Sequence, residues 1–536
     1  MKKKTLISAI AVLAFAATAH AGELSDIQAQ AEQLREQNQT LAKRLADLEK
    51  RQKALETKPA VKPVAAVANP VDSMAADLPY KAAVKARPPE NDDLCWHGVC
   101  LYGNFDMGLN YQNHGAPLSP LAVGPLNYLV SKNSNGSYFG VGPNQLSSSF
   151  IGLRGKQEIA DNLYAVFNLQ TLFDPASGST SSGVGSVVQN NGLPLTLQNA
   201  FSDSSKAGQM FNNVAYFGIS SPTYGTLTMG RQSALSSDLV TNYDPLGGSN
   251  AWSVLTYQGA NGGGGDTEDR IYDNSFEYRV DVGPVRFAVE TQLRNGGNSG
   301  TGNAFEGDVG FDYMGFSMDF TGGKVYDAVS AAPLSAAQIG SVTAANIGCS
   351  LGCVAGTVSD NTVFQVAAKY TIGPWKFYGG YEHINFANPN NPLVGGAFLA
   401  GGYNVGVPNN TNFTTDRILQ TFWVGAKYSV RPDLDLALAY YHEWQNSFIN
   451  GPLATSTNPT GTCNTVASAG CSGSLDAVSF VADWRFAKHF DAYAGIMWSQ
   501  VQNGLANGFL LANGLPGATG NKASAYDPGV GLRYQF

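Results

Sequence analysis

Carboxylates gather in one stretch of this chain. About 38 residues, from Ser233 to Arg270, carry Asp238, Asp244, Asp266, Glu268 and Asp269, with Arg231 just before the stretch, Arg270 at its end and Arg279 beyond it. Acids on one side of a gap and guanidinium groups on the other create a transverse field. Such a field orients dipolar solutes and sorts ions by charge. It needs neither tight binding nor an energy source.

Other groupings carry less. His97, His114, His383, His442 and His489 show no ligand-like spacing, so no metal is expected. The run GANGGGGD (259–266) is followed by no Lys-Ser/Thr pair and opens no helix, so it is not a phosphate cradle. No Ser-His-acid grouping suggests an enzyme, and no cofactor is implied. The six cysteines form three close pairs, Cys95/Cys100, Cys349/Cys353 and Cys463/Cys471. On an exported chain such local pairs read as small disulfide staples.

The acidic stretch needs a frame. It opens from GTLTMGRQ, where Leu227 and Met229 alternate with Thr226 and Thr228. It closes on IYDNSFEYRV, where Phe276, Tyr278 and Val280 alternate with Ser275, Glu277 and Arg279. An insertion too long for a hairpin turn, and too acidic and Gly-rich for a core, points to a functional loop between two strands. We expect residues 233–270 to fold into the lumen of a β-barrel and narrow it.

The rest of the chain has the texture of such a barrel. Charged residues are 14%, aromatics 11%, and there are 61 glycines, a composition suited to many strands with tight turns. Net charge is -8, and residues 1–94 hold 14 of the 33 basic and 12 of the 41 acidic residues, so the acid excess lies in the remainder. Nothing here proposes nucleic acid as a partner, whereas an acidic lumen would enrich cations. From Trp96 onward sixteen alternating segments are legible, near 101–112, 148–159, 162–173, 210–220, 225–232, 271–282, 284–294 and 303–313, then 315–325, 360–373, 374–386, 416–430, 433–446, 474–488, 490–501 and 524–536. Seven short turns alternate with eight mostly long loops, including 113–147, 326–359 and 387–415. Bacterial outer-membrane barrels have this asymmetry, with short periplasmic turns, long external loops and an even strand count.

In the final strand Val530, Leu532, Tyr534 and Phe536 share one face, which would meet lipid, and Gly531, Arg533 and Gln535 share the other. No polar backbone can be left open in lipid, so this strand must close the sheet against 101–112. Trp375, Tyr378, Trp423, Tyr440, Tyr441, Trp484 and Trp498 near segment ends are expected to form an interfacial girdle.

The N-terminal part differs. Residues 1–21 read as a signal peptide, with Lys2–Lys4, an apolar run from Leu6 to Ala17 and the small-x-small site Ala19-His20-Ala21. Over 22–57, Leu24, Ala31, Asn38, Leu45 and Gln52 fall at one heptad position and Ile27, Leu34, Leu41, Leu48 and Leu55 at the other, a coiled-coil pattern. Residues 58–94 form a Pro/Ala-rich linker, a semi-rigid spacer, and 95–536 the barrel domain.

Several stretches, taken in order, resemble the Gram-negative general porins: LYGNFDMGLNY, SSSFIGLRGKQEI, AYFGISSPTYGTLTMGRQ, DRIYDNSFEYRV and the terminal LRYQF. The resemblance covers about 101–536 and is strongest over 148–280. It implies a homotrimer in outer-membrane lipid and lipopolysaccharide. It also implies a third external loop whose acids face a ladder of basic wall residues, and assembly through a signal ending at Phe536. Arg231 of MGRQ matches a wall arginine of the family, and Arg270 sits where a second one often lies. Arg154 of GLRG points inward by alternation, as do Arg279, Arg286 and Arg294. Asp238 and Asp244 are the loop partners, and the arginines facing them serve either charge selection or ordinary salt bridges that pin the loop to the wall, or both. Asn104 and Phe150 stand where basic residues are frequent, so the ladder is thinner than in the best-known members. The N-terminal coiled coil resembles that of variants with a periplasmic stalk.

The expected fold is therefore all-β, a 16-stranded antiparallel transmembrane barrel with an inward third loop, preceded by a coiled-coil helix. The expected function is passive diffusion of small hydrophilic solutes and ions. Two alternatives are a channel specific for dicarboxylates or sugars, and an envelope tether through the coiled coil to peptidoglycan. Deleting residues 22–94 separates the last from the others: unchanged envelope integrity with conductance retained removes the tether reading.

Overall fold

A computed structural model describes residues 94–115, 117–121, 127–128, 136–180, 210–258, 271–293, 303–333, 353–390, 398–400, 403–410, 415–448, 472–503 and 522–536, with Gln39 and Lys43. The chain divides into two units, Met1–Pro70 and Val71–Phe536. The expected signal peptide lies outside the described residues. So do the coiled coil, except for Gln39 and Lys43, and the linker, except for Leu94.

Among the described residues twenty strands form one sheet. They are Leu94–Trp96 (β1), Val99–Gln112 (β2), Tyr138–Pro143 (β3), Phe150–Ala160 (β4), Leu163–Leu172 (β5), Val214–Ser221 (β6), Gly225–Ser233 (β7), Ile271–Val282 (β8), Val285–Gln292 (β9) and Ala304–Tyr313 (β10). Then come Phe316–Pro333 (β11), Cys353–Ile372 (β12), Trp375–Ala387 (β13), Phe398–Ala400 (β14), Tyr403–Asn410 (β15), Arg417–Arg431 (β16), Leu434–Gln445 (β17), Gly473–Ala487 (β18), Phe490–Asn503 (β19) and Lys522–Gln535 (β20). Without β1, β3, β14 and β15 these are the sixteen expected strands. Each pairs antiparallel with its neighbour, and β2 pairs with β20 to close the barrel.

The outer face is apolar by strict alternation. Phe287, Phe305, Phe320, Phe422, Leu438, Phe480, Ile496 and Val530 are exposed between less exposed neighbours, the pattern of a lipid-facing belt. Aromatic rings crowd near the short turns: Trp375 lies 4.4 Å from Tyr428, and Phe490 lies 4.7 Å from Tyr534. The expected girdle needs correction at three positions. Tyr378, Trp423 and Tyr441 are buried at 8%, 0% and 0% exposure, while Trp375, Trp484 and Trp498 stay exposed. Their strand parity decides this: Trp423 shares a face with Thr421, and it is Phe422 that points outward.

The ladders run further than periodicity suggested. β11 continues to Pro333 and β12 begins at Cys353, with Ala328–Pro333 paired to Ser359–Val354, so part of the expected loop 326–359 is sheet. β15 adds a parallel pairing to the same end of β12, and β3 lies within the expected loop 113–147. Long loops leave many backbone groups to satisfy, and extending the ladder does so. Short alternating stretches amid Gly and Ser carry too little apolar signal to announce this.

At the other end β1 and β2 form a hairpin whose turn residues, His97 (φ 50°) and Gly98 (φ 79°), are both left-handed, as a two-residue hairpin turn requires. Cys95 and Cys100 face each other in register and are joined as a disulfide. β1 pairs Val99–Leu101 of β2, the part that runs past the end of β20, and so covers an otherwise open edge. Cys349, Cys463 and Cys471 lie outside the described residues.

The seam between β2 and β20 is flanked by buried polar networks as well as closed by backbone. Gly103 and Phe536 exchange two backbone hydrogen bonds of 2.9 and 3.1 Å. Asp106 faces Arg533 in register. Its carboxylate accepts the amides of Leu146 (3.0 Å) and Ser147 (2.7 Å) and the Tyr493 hydroxyl. Arg533 in turn donates to Asp491 at 2.6 Å and to Asp483 at 3.2 Å. Replacing Asp106 by Ala strands these donors, while Arg533 keeps Asp491 and Asp483. A loss of about 1–3 kcal/mol is expected for a buried donor left unsatisfied. It would be read as a lower unfolding temperature of the barrel in heat-modifiability gels.

Candidate functional site

The acidic stretch after β7 begins with a helix, Leu235–Tyr243 (α1), followed by a short one, Val254–Gln258 (α2). No side chain of the loop itself caps α1 at Ala234. The wall does so instead: Glu306 of β10 accepts the Ser236 amide at 2.9 Å and its hydroxyl at 2.8 Å. At the far end Lys369 of β12 donates to the Asn242 carbonyl at 3.1 Å and lies 4.7 Å from the centre of the Tyr243 ring. An anion at the N-terminus and a cation at the C-terminus complement the helix dipole and its unpaired backbone groups. Asp244 turns extended and Pro245 blocks continuation. Gly247 and Gly248 then reverse the chain at φ 65° and 75°.

From Tyr243 onward the loop rests on inward-facing residues of β16–β20. The Trp423 indole donates to the Tyr243 carbonyl (3.0 Å), the Tyr441 hydroxyl to Asp244 (2.5 Å), and Ser479 to the Trp252 carbonyl (2.6 Å). The Trp252 indole donates to the Asp527 carbonyl at 2.9 Å. The wall residues beneath are small where the loop is bulky. A Cβ at Gly425 would come within 2.4 Å of Pro245, and one at Gly495 within 2.7 Å of the Trp252 ring. Leu239, Val240, Leu246 and Leu255 join Ala437, Ala439, Ala477 and Met497 in one buried cluster. This part of the inner wall is apolar because a loop covers it.

The opposite part of the wall is charged. Arg279 of β8 donates to Asp238 of α1 at 2.5 Å and to Glu277 at 2.6 Å. Glu277, Glu290 and Glu306 stand directly opposite one another on β8, β9 and β10. Both carboxylate oxygens of Glu290, and Oδ1 of Asp238, are buried without a hydrogen-bond partner. Asp238 and Glu277 thus bind the Arg279 guanidinium, whose side chain is 27% exposed, with Glu290 and Glu306 continuing the acidic row. Arg286 pairs with Asp312 and Asp319 nearby. Burial pushes the Asp238 carboxyl up to about 7, with the Arg279 guanidinium opposing and Glu277 adding to the rise. Burial also raises Asp244, against hydrogen bonds from Tyr441 and Gly248.

The expected site residues fall in different places. Asp238 and Arg279 meet. Asp244 is tied to Tyr441 and to the Gly248 amide. Arg154 lies over the Tyr102 ring, 4.9 Å from its centre. Arg231 follows Gly230 (φ 133°) at a register shift in β7. Its guanidinium donates to the Asn212 carbonyl and to Asp273 at 2.7 Å. Arg270 and Arg294 lie outside the described residues. Asn104 and Phe150 are buried at 0% and 1%, and Asn104 donates to Ser147 and to the Ser148 carbonyl. Glu290, Glu306 and Lys369 were not anticipated. The alternation that turned Arg279 and Arg286 inward applies equally to Glu277, Glu290 and Glu306, and the strand register then sets the three side by side.

The contact between Trp252 and the wall can be tested directly. Trp252→Ala removes a fully buried indole, a change that costs about 3–5 kcal/mol at well-packed sites. A lower unfolding temperature and faster proteolysis within residues 234–258 are expected.

A family profile for Gram-negative porins matches residues 64–504. Over 149 residues, 28% of this chain, the sequence is 26% identical to an outer membrane porin protein of Bordetella pertussis; the match spans only 31% of that relative's length. Among solved structures, an anion-selective porin from Comamonas acidovorans superposes with a TM-score of 0.51 at 15% identity, covering 82% of this chain and 99% of that one. That similarity is one of fold. With its sixteen-stranded closed barrel and the family profile extending over most of its length, the chain belongs to the Gram-negative porin family.

Proposed function

We propose that the protein is a passive outer-membrane diffusion channel for small hydrophilic solutes and ions, with the loop 233–270 folded into the lumen as its constriction and cations favoured there. The observation that carries this reading is the row of acids at the loop–wall contact. Asp238 and Glu277 bind Arg279, whose side chain keeps partial exposure, and Glu290 and Glu306 follow Glu277 in register along the wall. A lumen edged with excess carboxylate raises the local cation concentration, while its width filters by size. The homotrimer, the lipid and lipopolysaccharide surroundings and the periplasmic stalk belong to the same proposal and rest on family membership and the N-terminal heptads.

Arg231 has a different part in it. Tied to Asn212 and Asp273, it anchors the base of the loop instead of presenting charge to solutes.

Arg279→Ala is expected to raise the cation-to-anion permeability ratio several-fold, and Glu290→Gln with Glu306→Gln to lower it, both measured as reversal potentials in planar bilayers. Arg231→Ala should leave the reversal potential unchanged. Equal reversal potentials for all of these proteins would contradict the assignment. Current block that saturates at low solute concentration would indicate a substrate-specific channel instead.

pH supplies an independent test. The Asp238 carboxyl titrates near 7 when buried and near about 3.9 when the loop is released. The docked loop therefore holds a proton that the released loop gives up, so docking is firmest below both values and weakens as pH rises through 7. The newly ionised carboxylate also adds negative charge. Cation preference should therefore climb as pH rises through 7, and Asp238→Asn should flatten that climb.

A further inference from the structure

A second group of buried acids lies away from the loop contact. Gln365 of β12, Glu382 of β13, Thr421 of β16 and Glu443 of β17 occupy directly paired positions on four neighbouring strands. All four face inward, at 0%, 0%, 1% and 0% exposure. The layer on one side of this row is apolar, formed by Val363, Ile384 and Leu419. On the other side lie Ala367, Trp423 and Tyr441, which belong to the cluster that receives the loop.

The row has an excess of acceptors. Gln365 donates to Glu382 at 2.7 Å. Among the described residues, Oε1 of Gln365, Oε2 of Glu382, Oγ1 of Thr421 and both carboxylate oxygens of Glu443 have no hydrogen-bond partner. Arg417, four residues away on β16, directs its guanidinium to Gln445 (2.7 Å) and the Phe386 ring (4.6 Å), and acts on Glu443 through its charge without a hydrogen bond. Carboxylates without donors are costly in apolar surroundings. Protonating one of them satisfies one oxygen and leaves the others. The hydroxyl and the amide oxygen are separate from the acids, equally buried and equally unpartnered, and they sit on the same face.

From this arrangement we infer a cation site: Glu382, Glu443, Gln365 and Thr421 bind a hard divalent cation of the calcium type. Two carboxylates, an amide carbonyl and a hydroxyl, with water completing the shell, form an all-oxygen ligand set of the kind calcium takes. The ion would tie β12, β13, β16 and β17 together just above the surface on which the loop docks. This acid pair is distinct from the one proposed to set ion preference, so the inference stands apart from that reading.

Trp423 makes the site observable. It lies two residues from Thr421 on the same face of β16, within range to sensitise terbium luminescence. The mature chain, refolded in detergent free of lipopolysaccharide, is titrated with terbium and then with calcium. Sensitised emission displaced by calcium is expected, together with a thermal midpoint several degrees higher in millimolar calcium than in chelator. Both should be lost in the Glu382→Gln, Glu443→Gln double variant. Thr421→Val, which keeps both carboxylates, should weaken calcium binding several-fold and serves if the double variant fails to fold. Absence of both signals in the wild-type protein overturns the proposal, as do signals unchanged in the double variant or, should that variant not fold, in Thr421→Val. Such results would leave neutral carboxyls and water as the occupants.

Discussion

A strand offers each side chain one of two destinations, and in a barrel standing in lipid the two cannot be exchanged. Backbone groups must all be paired within the sheet, because hydrocarbon offers no substitute. A shift of one residue would send every lipid-facing side chain inward. Sixteen strands obey this parity together, from Ile151 and Leu153 on β4 to Val530 and Leu532 on β20, all exposed. The charges that could act on a solute are simply the residues left over on the other face. Where the chain meets its own start, Asp106 stands opposite Arg533 in the register that preserves this parity.

The loop after β7 is possible because the inner wall is not uniform. Along β16–β20 it carries Ala437, Ala439, Ala477, Gly495 and Gly529, small enough to admit Pro245 and Trp252. Along β8–β10 it carries Glu277, Glu290 and Glu306. One helix spans the change, with Glu306 at its N-terminus and Lys369 at its C-terminus. Its contact with the wall through Asp238 and Arg279 sits where acids are in excess. Packing on one side and charge on the other are therefore parts of the same docking event. A mutation that loosens Trp252 should be felt at Asp238.

Much of this was legible in the residues. Alternation located all sixteen barrel strands, the loop lengths marked the two ends, and the last strand announced its own partner. Cys95 and Cys100 were paired by proximity alone. Other features depend on register, which a single sequence does not display. Trp423 and Tyr441 read as girdle residues because an aromatic near a strand end usually meets the interface; one step of parity instead buries them under the loop. Arg231 reads as a wall arginine, and the register shift beside Gly230 that sets it against Asn212 and Asp273 is not visible in spacing. The glutamate row was visible only in parts, since Glu277, Glu290 and Glu306 are neighbours through pairing and not through spacing.

The central claim is an acid-edged constriction at the contact between α1 and β8–β10. The reversal potential of single channels of the unmodified protein, in a potassium chloride gradient at pH 8, tests it most directly. A potential of the sign set by potassium flow is expected. A potential of zero, or one set by chloride flow, would contradict it.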